Sequence, residues 1–151
     1  MERALHIVVL DRSSVGEDVS VEPLKKYGEV TFHMTTKDEE AAERVKDADI
    51  IIVNKTPMNA DTLDGASHLK LICEFATGFD NVDLDYCRKR GIPVVNVVNY
   101  STAAVAQHTI ACVLYILEKL RYYDDYVKSG AYGSQPRFSH FGLPYSELDG
   151  K

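Results

Sequence analysis

Residues 69–98, LKLICEFATGFDNVDLDYCRKRGIPVVNVV, contain a strand, a loop, a helix and a second strand in succession. Leu69–Phe75 and Pro93–Val98 are short runs rich in Leu, Ile and Val, a composition typical of buried strands. Between them, Asp83–Arg90 begins with acidic residues, ends with basic ones and precedes Gly91, a pattern that predicts a helix. A strand, a helix and a strand in this order predict two parallel strands joined by a crossover.

The same alternation extends toward the N-terminus. Three more strand-like runs are Leu5–Leu10, Glu29–Met34 and Asp49–Val53. Helical patterns occupy the intervals, at Val19–Tyr27, Asp38–Asp47 and Thr62–Ser67. Repeated βα units predict an α/β fold, and we expect a flavodoxin-like, doubly wound parallel sheet of five strands in the order 2-1-3-4-5.

The chain changes character near residue 100. Ser101 is a good helix N-cap, and the sequence from Thr102 to about Lys128 predicts one long helix, a helical arm after the sheet. The first half of this helix is apolar nearly all round, so we expect it to be buried on more than one side. A tail bearing Gly, Pro and Ser follows. We therefore divide the chain into a domain at 1–100 and a long helix with a tail at 101–151.

The composition of the 151 residues excludes several classes of protein. Apolar residues make up 45% and charged residues 26%, the balance of a folded globular protein. The net charge of −6 argues against a nucleic-acid partner and against an anionic membrane surface. The apolar runs are too short to predict a membrane span, and the N-terminus has no signal-peptide pattern.

The number and spacing of the cysteines exclude two further kinds of site. Cys73, Cys87 and Cys112 lie far apart, without a CxxC motif or a Cys/His cluster, which argues against a disulfide framework and against a metal site. Reduced thiols are typical of cytoplasmic proteins, and we expect a cytoplasmic location.

The loop after the fourth predicted strand, Ala76–Asp83 (ATGFDNVD), is the most informative segment for function. Ligands of open α/β sheets bind at the carboxyl ends of the strands. Gly78 allows a ligand to approach the backbone closely, and amides exposed there are able to hold a carboxylate. The alternative is an ordinary strand-to-helix turn capped by Asp83.

ATGFDNVD resembles the GxGxDNVD loop of the D-isomer-specific 2-hydroxyacid dehydrogenases. The segment RKRGIPVVNVVNYSTAAVAQHTIACVLYIL is similar to the run of that family from its fifth strand into a long helix, and PYSELDGK resembles the residues before its cofactor-binding glycine loop. Gln107, where many members have Glu, and the run Asn54-Lys55-Thr56-Pro57 resemble the glycerate dehydrogenase (hydroxypyruvate reductase) branch. The resemblance covers nearly all of residues 5–151.

The resemblance implies an N-terminal, substrate-binding part of an oxidoreductase that uses NAD or NADP. The implied substrate is a small 2-keto or 2-hydroxy acid, such as hydroxypyruvate or glyoxylate. The substrate-binding positions that it implies are Asn54, Lys55, Ala76, Thr77, Gly78 and Tyr100. Of these, the loop residues would hold the substrate carboxylate, the pair after the third strand would face the substrate, and Tyr100 would lie at the mouth of the cleft.

The resemblance also implies what residues 1–151 do not contain. The chain has no GxGxxG fingerprint, and the catalytic arginine, glutamate and histidine of the family lie downstream of its last residue. We therefore expect a truncated enzyme with no catalytic residue of its own, no NAD or NADP binding, no activity alone and only weak binding of a 2-keto acid. The family helix that corresponds to 102–128 lies at a subunit interface, so we expect a homodimer, with segment exchange as one form of it.

Two other classes of protein share the predicted fold. A phosphorylated receiver domain needs an acidic pair after the first strand and an aspartate after the third, where this chain has Asp11 alone and then Asn54 and Lys55. A flavodoxin needs a phosphate-binding loop after the first strand, for which Ser13 and Ser14 are a thin match. A stand-alone flavodoxin-like binding or oligomerisation module is the alternative function.

Overall fold

The computed structural model describes residues 3–150. Five strands form one parallel sheet in the order β2-β1-β3-β4-β5, which confirms the predicted fold class and strand order. The strands are β1 (Leu5–Val9), β2 (Gly28–Phe32), β3 (Ile50–Val53), β4 (Leu71–Glu74) and β5 (Val94–Val95). The helices are α1 (Asp38–Val45), α2 (Ala60–Leu63), α3 (Leu84–Arg90), α4 (Thr102–Leu117), α5 (Leu120–Lys128) and α6 (Ala131–Ser134), with 3-10 helices at Arg12–Ser14 and Glu22–Lys26.

The fifth strand is shorter than the predicted run Pro93–Val98. Pro93 has no amide to donate to a ladder, and the Val97 amide donates instead to the carbonyl of Ala76, which lies outside the strands. The ladder of β5 with β4 is therefore limited to two residues, and the chain after it is available to support the loop that follows β4.

The helix predicted at Val19–Tyr27 is wrong. The structure has only the 3-10 helix Glu22–Lys26 there, because Pro23 lacks an amide donor and is tolerated only in the first turn of a helix. The prediction for α3 is confirmed: the Asp83 side chain accepts a hydrogen bond from the Tyr86 amide, and Gly91 ends the helix at a φ of 68°.

The sheet has a core on each of its faces. On one face the strands pack against α1, α2 and α3 through residues such as Val45, Leu63 and Cys87. On the other face a smaller cluster, built on Ile7, Val9 and Ile52, packs against partly buried neighbours that include Leu24. Near-continuous apolar strands are what a sheet covered on both faces requires.

The chain divides after Tyr100 into two compact units. The second unit contains α4, α5, α6 and the tail, and the single helix predicted over 102–128 is wrong. Lys119 adopts a left-handed conformation with a φ of 54°, which ends α4 and turns α5 by 62°. Along residues 3–150 no single helix is long and apolar enough to cross a membrane, whereas α4 and α5 reach that length and apolar content only as a bent pair.

The expected burial of α4 is also corrected. None of its residues is buried within this chain, and Leu117, its last residue, is half-buried. In contrast, α5 packs on the tail through an aromatic cluster. The rings of Tyr126 and His140 stack with centroids 3.9 Å apart, and Tyr122 Oη lies 2.7 Å from His140 Nε2.

Candidate functional site

Loops from three neighbouring strands meet at the carboxyl edge of the sheet. The loop after β4, residues 76–81, is called the cradle loop below. It lies between the segment that follows β3 and the segment that follows β5, because β4 pairs with both strands. Ligands of open α/β sheets bind at this edge, so the contacts of the cradle loop define the candidate site.

The cradle loop is fixed to both neighbouring segments. On the β3 side, the Met58 amide donates to the Asn81 carbonyl at 2.8 Å. On the β5 side, the Val97 amide donates to the Ala76 carbonyl at 3.0 Å, and the Thr77 hydroxyl donates to the Val97 carbonyl at 2.7 Å. The Asn96 side-chain amide adds a bond of 2.8 Å to the Thr77 carbonyl. The carbonyls of Ala76, Thr77 and Asn81 are thus engaged by the protein.

The amides of the cradle loop are in the opposite situation. Those of Ala76, Thr77 and Gly78 donate to no acceptor among residues 3–150. Thr77 and Gly78 are exposed, so these amides are not trapped in an apolar interior. A Cβ placed on Gly78 would meet only the Asp80 carboxylate, at 3.8 Å, which shows that the fold itself leaves this position open. Consecutive free amides at the end of a strand are suited to binding an anion.

Asp11 holds the segment after β3 in place. Its Oδ2 accepts hydrogen bonds from the amides of Asn54, Lys55 and Thr56 at 2.9, 2.9 and 3.2 Å, and its Oδ1 accepts one from the Thr56 hydroxyl at 3.0 Å. Burial raises the pKa of Asp11, but these hydrogen bonds outweigh it and keep the pKa below the ordinary 3.8. Asp11 is therefore an ionised, buried anchor for the wall of the site.

Glu74, the last residue of β4, lies beneath the cradle loop with 1% of its surface exposed. Its Oε2 accepts a hydrogen bond of 3.2 Å from Asn81 Nδ2, and the same nitrogen donates to the Thr56 carbonyl at 3.2 Å. Burial raises the pKa of Glu74 to about 7, although the Asn81 hydrogen bond and the charge of Lys55 lower it; the charge of Asp11 raises it. A carboxyl group that titrates near neutral pH thus adjoins the candidate site.

The structure brings five of the six predicted site residues to one edge. Asn54 and Lys55 follow β3, and Ala76, Thr77 and Gly78 follow the adjacent β4. Tyr100, the sixth predicted residue, is not among the described residues that form hydrogen bonds to the cradle loop. It comes five residues after β5 and is 65% exposed, and the hydrogen bonds from that segment to the cradle loop come from Asn96 and Val97 instead.

Sequence reasoning missed Asp11 and Glu74 as parts of this edge. A signal for Glu74 was present, since it is the one carboxylate within the otherwise apolar end of LKLICEF. The described residues contain no group of three or more His, Cys, Asp or Glu side chains able to hold a metal ion.

Comparisons with known proteins place this geometry in a family. The D-isomer specific 2-hydroxyacid dehydrogenase catalytic domain matches residues 7–142. The chain is 34% identical to a hydroxypyruvate reductase of Blautia hydrogenotrophica, over 97% of this chain and 47% of that protein. It is also 34% identical to a glycerate dehydrogenase of Methylorubrum extorquens, over 95% of this chain and 46% of that protein. The chain thus spans about half the length of these relatives.

Solved structures show the same similarity. The D-lactate dehydrogenase of Aquifex aeolicus, complexed with NAD and lactic acid, superposes with a TM-score of 0.68 and 32% identity, over 87% of this chain and 39% of that one. A protein of Pyrococcus horikoshii superposes with a TM-score of 0.67 and 30% identity, over 87% and 39%. With a family match over residues 7–142 and the parallel sheet that carries the cradle loop, the chain belongs to the D-isomer specific 2-hydroxyacid dehydrogenase family.

Proposed function

We propose that this chain is the substrate-binding part of an NAD(P)-dependent D-2-hydroxyacid dehydrogenase, and that its cradle loop binds the carboxylate of a small 2-keto or 2-hydroxy acid. The observation that carries the proposal is the set of amides at Ala76, Thr77 and Gly78, which donate to no acceptor among residues 3–150. A carboxylate supplies the acceptors that these amides need.

The charges around the cradle loop support an anionic ligand. Lys55 is exposed on the neighbouring segment and contributes a positive charge. The carboxylate of Asp11 is turned toward three backbone amides and the Thr56 hydroxyl, so its charge is largely compensated by hydrogen bonds. A single cation with a few amides supports weak binding, of millimolar order or about 4 kcal/mol.

The described residues do not fit a dinucleotide cofactor. Pyrophosphate binding in α/β folds uses a glycine-rich turn that leads from the first strand into a helix. Here β1 is followed by the buried carboxylate of Asp11 and by a 3-10 helix of three residues, Arg12–Ser14. We therefore place no NAD or NADP on residues 3–150, and we propose that the 151 residues alone bind substrate without oxidising or reducing it.

The substrate class is proposed from the relatives. The two that were named above are a hydroxypyruvate reductase and a glycerate dehydrogenase, whose names denote the reduction of hydroxypyruvate and the oxidation of glycerate. Acids of this size, glyoxylate included, carry a carboxylate next to the reacting carbon. Binding that carboxylate at the cradle loop would present the reacting carbon to groups outside residues 3–150.

Nuclear magnetic resonance titration with hydroxypyruvate tests carboxylate binding directly. We expect the amides of Ala76, Thr77 and Gly78 to shift, and hydroxyacetone, which has the same end group but no carboxylate, to leave them unmoved. Gly78→Val should abolish the shifts because its side chain fills the approach to the amides. Gly65→Val is the matched control, since Gly65 also has open space around it but lies away from the cradle loop. Unmoved amides in the wild-type chain would refute the proposal.

We further propose that α4 pairs with a second copy of this chain. The helix presents large apolar side chains to solvent, among them Val105, Ile110 and Ile116, which are 60%, 60% and 66% exposed. Leaving such surface in water is unfavourable by about 25 cal/mol per Å².

We also propose a cytoplasmic location for the protein, because all three of its cysteines are free thiols.

A further inference from the structure

The position of Glu74 calls for an explanation beyond packing. Its Cα pairs in register with that of Val53, which belongs to the core, and Glu74 itself is 1% exposed. One carboxyl oxygen, Oε2, accepts the Asn81 side-chain amide at 3.2 Å. The other, Oε1, is buried and has no partner among the described residues. An ionised carboxylate with a single long hydrogen bond is expensive to bury, so the neutral acid is the favoured form in this environment.

Two charged groups act on Glu74 from the segments around it. Asp11, after β1, carries a negative charge and disfavours ionisation. Lys55, after β3, carries a positive charge and favours it. Asp11 remains ionised because its hydrogen bonds lower its pKa. Glu74 is therefore the group beside the cradle loop, among those described here, whose charge changes near neutral pH.

Asn81 connects Glu74 to the cradle loop. Its Nδ2 has two hydrogens and two acceptors, Glu74 Oε2 and the Thr56 carbonyl. The backbone carbonyl of Asn81 accepts a hydrogen bond from the Met58 amide at 2.8 Å. A charge that appears on Glu74 strengthens the bond from Asn81 Nδ2 to Glu74 Oε2. Asn81 is thus the contact through which the protonation of Glu74 can act on the cradle loop.

We propose that Glu74 is a proton-dependent positioning residue that tunes the cradle loop for anionic substrates. Protonated, it leaves Lys55 and the loop amides to the substrate carboxylate. Ionised, it places a negative charge under the site and attracts Lys55, so carboxylate affinity falls as pH rises through neutrality. This inference rests on the carboxylate binding proposed above.

The size and direction of the effect follow from linkage. We expect the protonated and ionised states to differ roughly fivefold in affinity, so binding of hydroxypyruvate should be roughly threefold weaker at pH 8 than at pH 6. Because coupling is reciprocal, saturating ligand should raise the titration midpoint of Glu74 by about 0.7 in pH. A residue that only fills space would produce neither result.

The experiment begins without ligand. The carboxyl carbon of Glu74 and the side-chain amide of Asn81 are followed by nuclear magnetic resonance from pH 5 to pH 9, and we expect a shared transition. Glu74→Gln should remove that transition from Asn81. Lys55→Met should move it to higher pH in a chain that keeps Glu74. Asp80→Asn, which removes an exposed carboxylate from the same loop, is the control and should leave it unchanged.

Hydroxypyruvate is then titrated at pH 6 and pH 8. We expect weaker binding at pH 8 in the wild type and equal binding in Glu74→Gln. Binding that is equal at both pH values in the wild type, or an Asn81 amide that does not titrate, overturns this inference and leaves the proposed function standing. Absence of binding at either pH, in the wild type and in the variant, overturns the proposed function and this inference with it.

Discussion

Asn81 donates its side-chain amide to the carbonyl of Thr56 at 3.2 Å, which joins the cradle loop to the segment after the neighbouring strand. The Met58 amide also donates to the backbone carbonyl of Asn81. Because of these two contacts, the cradle loop and the segment after β3 form a single hydrogen-bonded unit. The geometry of any ligand site there depends on it.

We expect Asn81→Ala to lower both stability and affinity. The substitution removes two hydrogen bonds and leaves the buried Glu74 carboxyl group without its donor, a loss of about 1–3 kcal/mol in the free energy of unfolding. Asn96→Ala is the comparison, because it removes one bond from the opposite side of the same loop. Urea denaturation and hydroxypyruvate titration of both variants measure the difference, and equal effects would contradict the special position of Asn81.

Asp11→Asn tests the anchor of the site wall. The pKa of Asp11 is lower in the folded protein than its ordinary 3.8, so its stabilising effect is fully present above that value and is lost as pH falls through the folded pKa. We expect Asp11→Asn to destabilise the protein by about 1–3 kcal/mol at pH 7, with the loss shrinking under acidic conditions. The exposed Asp18→Asn is the control. Denaturation curves of the wild type and both variants at pH 7 and pH 3 measure the loss, and an equal loss at the two pH values would contradict the role of Asp11.

The pKa of Glu74 predicts the opposite pH dependence. It is about 7 in the folded protein and 4.5 ordinarily, so the folded state binds more protons between these values and stability declines as pH rises across them. At full extent the loss is about 3 kcal/mol. Burial lowers the pKa of His33, which works in the other direction, so the comparison is between the wild type and Glu74→Gln. Parallel stability curves for the two chains from pH 5 to pH 8 would contradict the assignment.

Self-association through α4 predicts a concentration-dependent mass. Light scattering should give about twice 16.9 kDa for the wild type. Val105 and Ile116 lie eleven positions apart on nearly the same side of the helix, so Val105→Glu with Ile116→Glu should reduce the mass to that of one chain. Met34→Glu with Val98→Glu changes two equally exposed side chains outside α4 and should leave the mass unchanged. A wild-type mass near 16.9 kDa at high micromolar concentration would contradict the proposed pairing.

The break at Lys119 predicts an unusual response to glycine. A left-handed φ of 54° is strained for lysine and free of strain for glycine, so Lys119→Gly should be neutral or stabilising. Lys119→Val should destabilise, because a branched side chain resists that conformation. Lys89→Gly, within α3, is the control and should cost about 1 kcal/mol. Thermal unfolding of the three variants gives the ranking.

The sheet was predictable because its signals are local. Buried parallel strands appear as continuous apolar runs, and turn residues such as Gly91 separate them from the helices. The break in the helix over 102–128 has no such signal, since Lys119 is not a residue type that favours a left-handed conformation. The bounds of the short helix at Glu22–Lys26 were predicted wrongly, because the prediction did not use Pro23, whose missing amide limits where a helix begins.

The candidate site was predictable only in part, for a related reason. Ala76, Thr77 and Gly78 are recognisable because a glycine-containing loop follows a strand. The role of Asp11 depends on which strands are neighbours in space, because its partners lie 43 to 45 residues away. The partner of Glu74 lies 7 residues away, across the loop that follows its strand. In sequence each is only an acid at the end of an apolar run.

The contacts of Asp11 also bear on the order of folding. They join positions separated by 43, 44 and 45 residues, and closing so long a segment has an entropic cost that no local contact offsets. We therefore expect the Asn54–Thr56 segment to become ordered only after β1 and β3 have paired. In hydrogen exchange its amides should open with the whole sheet rather than with the surface loops, so the wall of this site reports on the global unfolding of the unit that carries it.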